Sequence, residues 1–198
     1  MSDENYKEKA ERINKSYEKR QAAATGEKGL IIVHTGSGKG KSTAAFGMLL
    51  RAVHHGLRAG VVQFVKGSIP SGETEVFKSF GDAVEWHRMG EGFSWITQDQ
   101  DLDRRAAEKA WERSRELMDR PDIGMVVLDE INVAVRLGQL QLDVVIEALN
   151  NKREMLHVVL TGRGAKDELI ELADLVTEMK MVKHPYRAGI KAQKGVEF

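Results

Sequence analysis

The fold of this chain follows from the stretch Thr35-Gly36-Ser37-Gly38-Lys39-Gly40-Lys41-Ser42-Thr43. An apolar run over 30–33 precedes the stretch, and a run typical of a helix over 44–50 follows it. A strand, a glycine-rich loop, a lysine, a hydroxyl residue and a helix in this order are the pattern of a phosphate-binding P-loop. The glycines let backbone N–H groups turn inward onto a phosphate, and the following helix adds its positive N-terminal end. The stretch therefore predicts a site for a nucleoside triphosphate.

The side chains of this loop are expected to combine phosphate binding with metal coordination. Lys41 would bring a full positive charge to the phosphates, and the Ser42 hydroxyl would be one ligand of Mg²⁺. Thr35 stands where most P-loops have their first glycine, and Gly36 comes one residue later. The loop residues predicted to bind ATP are Gly36, Ser37, Gly38, Lys39, Gly40, Lys41, Ser42 and Thr43.

Composition narrows the class of protein. The 198 residues are enough for one domain with a sizeable core. Thirty Lys and Arg residues balance thirty Asp and Glu residues, which argues against a general nucleic-acid binder. The chain has no cysteine, so it contains neither disulfides nor thiolate zinc sites. The start lacks the apolar core of a signal peptide, and no apolar run approaches membrane-spanning length. We expect a soluble, cytoplasmic protein with neither nucleic acid nor membrane as a partner.

Periodicity divides the chain into an N-terminal helical arm, 1–28, and one α/β domain, 29–198, that ends in a basic tail. Strands are predicted over 30–34, 59–65, 83–87, 125–128, 156–161 and 175–179. Helices are predicted over 42–55, 73–80, 102–119, 143–150 and 165–173. Short Val/Ile/Leu runs separated by helices indicate a mostly parallel sheet with helices on both faces. Together with the loop, this pattern predicts a RecA-like P-loop NTPase fold.

The arm is predicted to be helical over 3–23, which contains neither glycine nor proline. Its apolar residues, Tyr6, Ala10, Ile13 and Tyr17, recur every three or four residues but form only a thin stripe. Because a thin stripe does not hold a helix alone in water, the arm is expected to pack on the domain or on a second subunit. The alternative is a solvated tail.

Two further strand ends carry charged residues. The segment 125–130 is an apolar strand that ends in Asp129 and Glu130, the Walker B pattern, and such strand ends converge on the ligand crevice. One of the two carboxylates would hold Mg²⁺ directly or through water, and Glu130 is alternatively placed to activate a water; the spacing does not distinguish them. Arg163 follows another strand, where it would neutralise phosphate charge or bind a substrate carboxylate, unless the segment is only a polar turn.

The segment Met89-Gly90-Glu91-Gly92-Phe93-Ser94-Trp95 places two glycines beside two large aromatic residues. This combination predicts a mobile loop that lays Phe93 and Trp95 over a ligand. The alternative is that both aromatic residues belong to a small satellite of the core.

Two shorter patterns are weak indications of metal binding. The segment 85–90 reads Glu-x-His-x-x-Gly, one residue away from the Asp-x-His-x-x-Gly pattern in which a histidine binds corrinoid cobalt. We interpret His87 as a strand-end residue. The segment 99–103 has the alternating aspartates of a calcium loop but lacks its turn glycine and bidentate glutamate. These acids are expected to favour the N-terminus of the helix that follows.

With these motifs assembled, the chain resembles the P-loop type of corrinoid adenosyltransferase, which acts on cob(I)alamin or cob(I)yrinic acid a,c-diamide. The doubled Gly-Lys-Gly-Lys loop and the tail are specific to that family, whereas the Walker B segment is not. Family members share the threonine at position 35, and they commonly have Asn at position 37 and Thr at position 42, so the hydroxyl at Ser42 is kept. The resemblance is carried by 35–45, 62–67, 92–95, 126–130, 161–164 and 188–198.

The resemblance implies a reaction in which Co(I) of the corrinoid attacks the 5′ carbon of ATP. A cobalt–carbon bond forms and triphosphate leaves, with ATP held so that its phosphates run opposite to those in ordinary P-loop enzymes. The resemblance further implies Mg²⁺ as cofactor, an electron-donating flavoprotein reductase as partner, and a homodimer in which the arm helps close the corrinoid site.

The resemblance also implies specific roles for three side chains. Phe93 and Trp95 would press on the lower face of the corrin and displace the nucleotide base that ligates cobalt, because four-coordinate Co(II) accepts an electron more easily. Together with Lys41, they are the predicted catalytic residues. Two other functions are compatible with a P-loop: an ordinary kinase or ATPase, which would release ADP, and a corrinoid carrier, which would not need Lys41, Ser42 and Glu130.

Overall fold

A computed structural model describes residues 3–65, 72–89 and 99–196. The strands are β1 (Ile31–Thr35), β2 (Arg58–Gln63), β3 (Val84–Arg88), β4 (Ile123–Asp129), β5 (His157–Thr161) and β6 (Leu175–Glu178). The α-helices are α1 (Asp3–Ala23), α2 (Lys41–His54), α3 (Gly72–Lys78), α4 (Gln100–Asp119), α5 (Ile131–Arg136), α6 (Leu142–Asn150) and α7 (Asp167–Leu172). Short 3-10 turns cover Gly81–Ala83 and Pro185–Ala188.

The six strands form one sheet in the order β3-β2-β4-β5-β1-β6, and each neighbouring pair is parallel. The predicted α/β fold with a mostly parallel sheet is confirmed. Because the strands run the same way, their carboxyl ends lie along one edge, and this edge is where ligands bind in open parallel sheets. The P-loop after β1 and the acids after β4 therefore come to the same edge.

Two apolar layers cover the sheet, one on each face. Alternation along β1 shows the division, since Ile31 and Val33 face one layer and Ile32 faces the other. The first layer includes residues of α4, α5, α6 and α7, and the second includes residues of α2 and α3. Helices on both faces, as predicted, leave the strand ends as the exposed edge between the two layers.

Helix α5 is an element that the sequence does not predict. Its six residues hold too few turns for a helical period to register, and it begins directly after the Walker B acids. The predicted helix over 165–173 is shorter in the structure, where α7 begins at Asp167 and ends at Leu172. This shortening of α7 is within the usual uncertainty of helix ends.

The N-terminal arm is a helix over Asp3–Ala23, as predicted. Its larger apolar side chains do not pack on the domain of their own chain, because Tyr6, Ile13 and Tyr17 are 66%, 57% and 60% exposed. A second subunit or solvent therefore remains as the environment of the stripe. None of the helices within residues 3–65, 72–89 and 99–196 has both the length and the apolar character that a membrane span requires.

Candidate functional site

The P-loop connects the end of β1 to the first turn of α2. Gly36 and Gly40 have φ values of 96° and 102°, in the left-handed region that favours glycine. Gly40 is the N-cap of α2, so Lys41 is the first residue of the helix. The loop thus delivers backbone N–H groups and a lysine to the N-terminus of a 14-residue helix, as an anion site requires.

The chain that follows β6 packs directly on this loop. The Gly38 N–H donates to the carbonyl oxygen of Met179 at 2.6 Å. A Cβ added to Gly38 would lie 2.8 Å from that oxygen, so no larger residue fits without movement. The contact brings the basic tail after Met179 to the loop.

Lys41 is buried within the loop. Its Nζ donates to the carbonyl oxygens of Gly36 at 3.0 Å and Gly38 at 2.5 Å. Burial lowers the pKa of the Lys41 ammonium, the Glu130 carboxylate opposes this shift, and the Arg163 guanidinium adds to it. A phosphate at the loop would meet a cation that is already held in place.

Asp129 lies at the centre of a row of hydrogen bonds that crosses the sheet. It is fully buried; its Oδ1 accepts from the Thr161 hydroxyl at 2.8 Å, and its Oδ2 accepts from Gln63 Nε2 at 2.9 Å. Trp86 Nε1 donates to Gln63 Oε1 at 3.1 Å, and the Thr161 hydroxyl accepts from the Glu130 backbone N–H at 2.9 Å. The row fixes the carboxylate of Asp129 behind the cavity and positions the backbone of Glu130.

Glu130 has an unusual backbone conformation. Its φ is 64°, and no other non-glycine residue of the described ranges has a positive φ. A non-glycine residue in this region is strained, and such strain is concentrated at functional sites. Gly162 makes room for its side chain, since a Cβ at Gly162 would lie 3.2 Å from Glu130 Oε2.

A cavity of about 700 Å³ lies between the P-loop, α2 and α3. This volume is within the range of small-molecule sites. The lining combines polar and charged groups with apolar side chains, so the cavity suits a ligand with a charged part and a flat or apolar part. It is formed by Gly38, Lys39, Gly40, Lys41, Ser42, Thr43, Phe46, Gly47, Leu50, Gly72, Glu73, Val76, Phe77, Glu130, Arg163, His184, Gly195 and Val196.

The structure brings most of the predicted site residues together. Residues 38–43, Glu130 and Arg163 line the cavity, Asp129 lies behind it, and Ser37 is exposed. Gly36 contributes the carbonyl that Lys41 contacts. Phe93 and Trp95 fall outside the described residues.

The cavity offers few protein donors to a metal ion. No group of three or more His, Asp or Glu side chains that could hold a metal is found within residues 3–65, 72–89 and 99–196. The Ser42 hydroxyl and the Glu130 carboxylate are the oxygen donors of the predicted metal set that line the cavity. This donor set fits Mg²⁺, which takes one or two protein oxygens and completes its shell with phosphate oxygens and water.

The two weak metal patterns have structural explanations. His87 lies in β3 and its Nε2 accepts from Arg113 Nε at 3.2 Å, which agrees with the interpretation of a strand-end residue. The Asp99 carboxylate accepts from the backbone N–H groups of Asp101 and Leu102, both at 3.0 Å. Asp99 is therefore the N-cap of α4, and the predicted preference of these acids for a helix N-terminus is confirmed.

His184 is a cavity residue that the sequence analysis did not single out. Its Nδ1 accepts from the Tyr186 backbone N–H at 3.2 Å, so its Nε2 carries the ring proton in the neutral form. The histidine reaches the cavity because the tail packs on the P-loop, a contact with no local sequence pattern. Its position directly before Pro185, which starts a 3-10 turn, was the one available signal.

Comparison with known proteins identifies relatives over nearly the whole chain. The family model described as ATP:corrinoid adenosyltransferase BtuR/CobO/CobP matches residues 27–198. A corrinoid adenosyltransferase of Pseudomonas aeruginosa is 50% identical over 196 residues, which are 99% of this chain and 97% of the relative. One from a Sinorhizobium species is 55% identical over 91% of this chain and 86% of its own length. One from Escherichia coli K12 is 42% identical over the full length of both chains.

Proposed function

This chain belongs to the ATP:corrinoid adenosyltransferase family BtuR/CobO/CobP, and we propose that the cavity at its P-loop is where the adenosyl group leaves ATP. The enzyme is a transferase that moves an adenosyl group from ATP to a corrinoid. The observation that carries the proposed site is the position of Lys41, Glu130 and Arg163 around one cavity of a nucleotide's size. An ordinary kinase or ATPase is not favoured by these relatives.

The proposed reaction does not require a protein side chain to abstract a proton. Co(I) of the corrinoid substrate donates an electron pair to the 5′ carbon of the ribose, and the bond from that carbon to the 5′ oxygen breaks. The bonding pair leaves on triphosphate, and cobalt ends as Co(III) bonded to carbon. Holding the two reactants in line is worth about 7–11 kcal/mol of the barrier. The remaining task is to stabilise the charge that develops on the triphosphate.

The P-loop performs that task in this proposal. The N–H groups of 38–43 and the Lys41 ammonium face the leaving triphosphate, and Arg163 neutralises part of its charge. Lys41 is pre-positioned, since its hydrogen bonds to Gly36 and Gly38 hold the ammonium within the loop before a phosphate arrives. Donors fixed in advance need no reorganisation in the transition state.

We assign the magnesium site to Ser42 and Glu130, with Asp129 as the residue behind them. Mg²⁺ supplies positive charge to the triphosphate oxygens. Ser42 and Glu130 line the cavity, whereas both carboxylate oxygens of Asp129 accept hydrogen bonds from Gln63 and Thr161. This geometry favours Glu130 as the direct ligand and Asp129 as the group that orients the strand end.

Phe93 and Trp95 complete the proposed site on the corrin side, on the evidence of sequence resemblance. Replacing both with alanine is expected to lower turnover from Co(II)alamin at least about tenfold more than turnover from pre-reduced cob(I)alamin, because the wedge acts on reduction and cobalt potential follows its axial ligand. Rates with each cobalt state, measured anaerobically and with reduced flavin as the electron donor in the cob(II)alamin assay, check this. Equal losses from both states would rule out the wedge.

His184 is expected to donate a hydrogen bond to the bound nucleotide through Nε2. A glutamine at position 184 would place its amide nitrogen near the position of the His184 Nε2. An asparagine at position 184 would keep an acceptor for the Tyr186 N–H but would be too short to reach the cavity. His184→Asn should therefore raise the KM for ATP about tenfold, the effect of one hydrogen bond, and His184→Gln should stay near wild type. A raised KM for ATP in His184→Gln, with a normal KM in His184→Asn, would indicate that His184 serves only as the cap of the 3-10 turn.

The same proposal includes the domain organisation, the oligomeric state, the partner protein and the cellular location of the enzyme. We place an arm at residues 1–28 and both substrate sites in 29–198. The exposed stripe of Tyr6, Ile13 and Tyr17 supports a homodimer, because these apolar side chains have no cover in the described part of their own chain. Co(I) requires an electron donor, so a flavoprotein reductase is the proposed partner, in the cytoplasm.

Isotope transfer tests the proposed function. Wild-type protein is mixed anaerobically with Mg²⁺, cob(I)alamin and ATP labelled either in adenine or in the terminal phosphate. Adenine label is expected to elute with the corrinoid and to separate from it on illumination, which cleaves the cobalt–carbon bond. Terminal-phosphate label found on any acceptor would instead show a kinase.

A further inference from the structure

A polar contact joins the edge strand β3 to helix α4. Side chains alternate along β3, so Val84 and Trp86 pack in the layer of α2 and α3, whereas Glu85 and His87 face α4. None of residues 84–88, all of which the structure describes, belongs to the apolar layer on the α4 side. On that face β3 is therefore held to α4 by hydrogen bonds and charge.

Arg113 makes this contact from α4. Its Nε donates to His87 Nε2 at 3.2 Å, and its Nη2 donates to Glu85 Oε2 at 3.4 Å. Its Nη1 donates to Glu116 Oε2 at 2.5 Å, one turn further along the same helix. One carboxylate thus fixes the guanidinium on α4 while its other donors bind two side chains of β3. We call Glu85, His87 and Arg113 the β3–α4 link.

Glu85 is the charged base of the link. Arg120 and Arg58 approach its Oε1 at 2.5 and 3.6 Å, and both also pair with Asp122. Burial raises the pKa of the Glu85 carboxyl, but the hydrogen bond from Arg120 and the nearby positive charges outweigh burial and leave the pKa below its usual value. Glu85 is therefore ionised at neutral pH and holds its arginine partners.

His87 is the member of the link that titrates near neutral pH. Burial and the Arg113 charge lower the pKa of its ring, whereas the carboxylates of Glu85 and Glu116 oppose this shift. These three are the charged groups that act on the ring, Glu85 from β3 and the other two from α4. The neutral ring accepts from Arg113, but in the protonated ring both nitrogens are donors. Acid therefore breaks the hydrogen bond and places two cations side by side.

The two elements that the link joins are also the two ends of segment 90–98. Strand β3 leads into the segment through Met89, and α4 follows it with Asp99 as its N-cap. Because a helix is a rigid element, holding α4 at its middle fixes its direction relative to β3. The link therefore sets how the ends of the segment that contains Phe93 and Trp95 stand to each other.

We propose that Arg113 and His87 are positioning residues for the reduction of the corrinoid, because their hydrogen bond places the wedge of Phe93 and Trp95. In that step the axial base leaves cobalt with its electron pair, and one electron from reduced flavin converts Co(II) to Co(I). The inference rests on the proposed function, since it assumes the wedge. Misplacement by about 1 Å costs up to about 100-fold in rate. Loss of the link should therefore slow reduction and spare attack by Co(I) that is already formed.

The test uses full-length His87→Leu, Arg113→Leu and His87→Gln proteins, with Arg58→Leu as control. Turnover is measured anaerobically from cob(II)alamin with reduced flavin and from pre-reduced cob(I)alamin. Both His87→Leu and Arg113→Leu should lose about tenfold more of the first rate than of the second. His87→Gln keeps an acceptor near the position of Nε2, and Arg58→Leu removes a charge from the same cluster on β2. Both should stay within about twofold of the wild type in both assays.

Two further measurements separate positioning from stability. Electron paramagnetic resonance of cob(II)alamin bound with Mg-ATP should show at least about twofold less four-coordinate Co(II) in the two leucine variants of the link. In the wild type, the ratio of the cob(II)alamin rate to the cob(I)alamin rate should fall as the pH falls through the pKa of His87, which lies below the usual 6.5. Magnetic resonance of the ring measures that pKa. His87→Gln should lack this fall, and it controls for the response of flavin to pH.

The remaining outcomes all count against the link. Equal losses from both cobalt states, or no loss, in the leucine variants would leave it a structural contact and overturn the proposal. The same holds if His87→Gln is impaired like His87→Leu, or if Arg58→Leu loses as much as Arg113→Leu. A pH dependence shared by the wild type and His87→Gln overturns the proposal even where a leucine variant does not fold. A wild type that leaves pre-reduced cob(I)alamin unchanged would instead contradict the proposed function.

Discussion

Lys41→Ala is expected to weaken ATP binding about 100- to 1000-fold, because truncating one partner of a buried charge pair costs about 2–5 kcal/mol. The ammonium is buried and held by two carbonyl oxygens of the loop, so its charge is concentrated where the phosphates bind. Lys39 and Arg163 also line the cavity, but both are exposed and therefore replace a buried charge poorly. The rate of adenosyl transfer should fall together with the affinity for ATP.

Calorimetry with Mg-ATP measures this loss, and circular dichroism checks that the variant is folded. Lys109→Ala is a matched control, since it removes the same charge from an exposed position of α4. The control should bind ATP like the wild type. Binding by Lys41→Ala within about threefold of wild type, a difference of roughly 0.7 kcal/mol, would contradict the phosphate assignment.

Glu130→Gly is expected to stabilise the protein while it abolishes turnover. Glycine adopts a φ of 64° without strain, so the free energy of unfolding should rise by about 1 kcal/mol. The same change removes the carboxylate that we assign to Mg²⁺, so adenosyl transfer should fall at least about 100-fold. Stability and activity would then move in opposite directions at one residue.

Urea unfolding and the rate of triphosphate release measure the two effects. Glu130→Gln is the matched variant, because it keeps the side-chain length and the strained φ but removes the charge. It should lack the gain in stability that relief of the strained φ gives Glu130→Gly, and it should lose activity like Glu130→Gly. Asp129→Ala should instead lower stability, since it leaves the buried side chains of Gln63 and Thr161 without their partner. Near-normal turnover in Glu130→Gly would remove Glu130 from the metal site.

Much of the fold could be predicted from the sequence because its signals are local. The strands of a sheet covered on both faces appear as short apolar runs, and the loop 35–43 contains its own glycines, lysine and hydroxyl. Both signals depend on neighbours in the chain. The parallel order of the strands then brings the P-loop and Asp129 to one edge without further information.

The different positions of Asp129 and Glu130 relative to the cavity could not be predicted, because both acids stand at the end of the same strand. Hydrogen bonds from Gln63 and Thr161, 66 and 32 residues distant in sequence, hold Asp129 in the interior. The left-handed φ of Glu130 turns the side chain of Glu130 itself toward the cavity. Neither the hydrogen bonds to Asp129 nor the backbone conformation of Glu130 produces a recognisable spacing of residues in the sequence.

His184 was missed for a related reason. Its place in the site depends on the hydrogen bond between Gly38 and Met179, which joins the P-loop to a tail more than 140 residues later. From the sequence, the tail is only basic. Long-range backbone contacts of this kind leave no pattern in the sequence.

The measurement that tests the central claim most directly is the stoichiometry of triphosphate release. Protein, Mg-ATP and chemically reduced cob(I)alamin are mixed anaerobically, the Co(I) absorbance is followed, and the phosphate products are separated. One intact triphosphate for each Co(I) consumed is the predicted result, because the bond at the 5′ carbon breaks and the phosphate chain does not. ADP and phosphate with Co(I) unchanged would contradict adenosyl transfer at this P-loop.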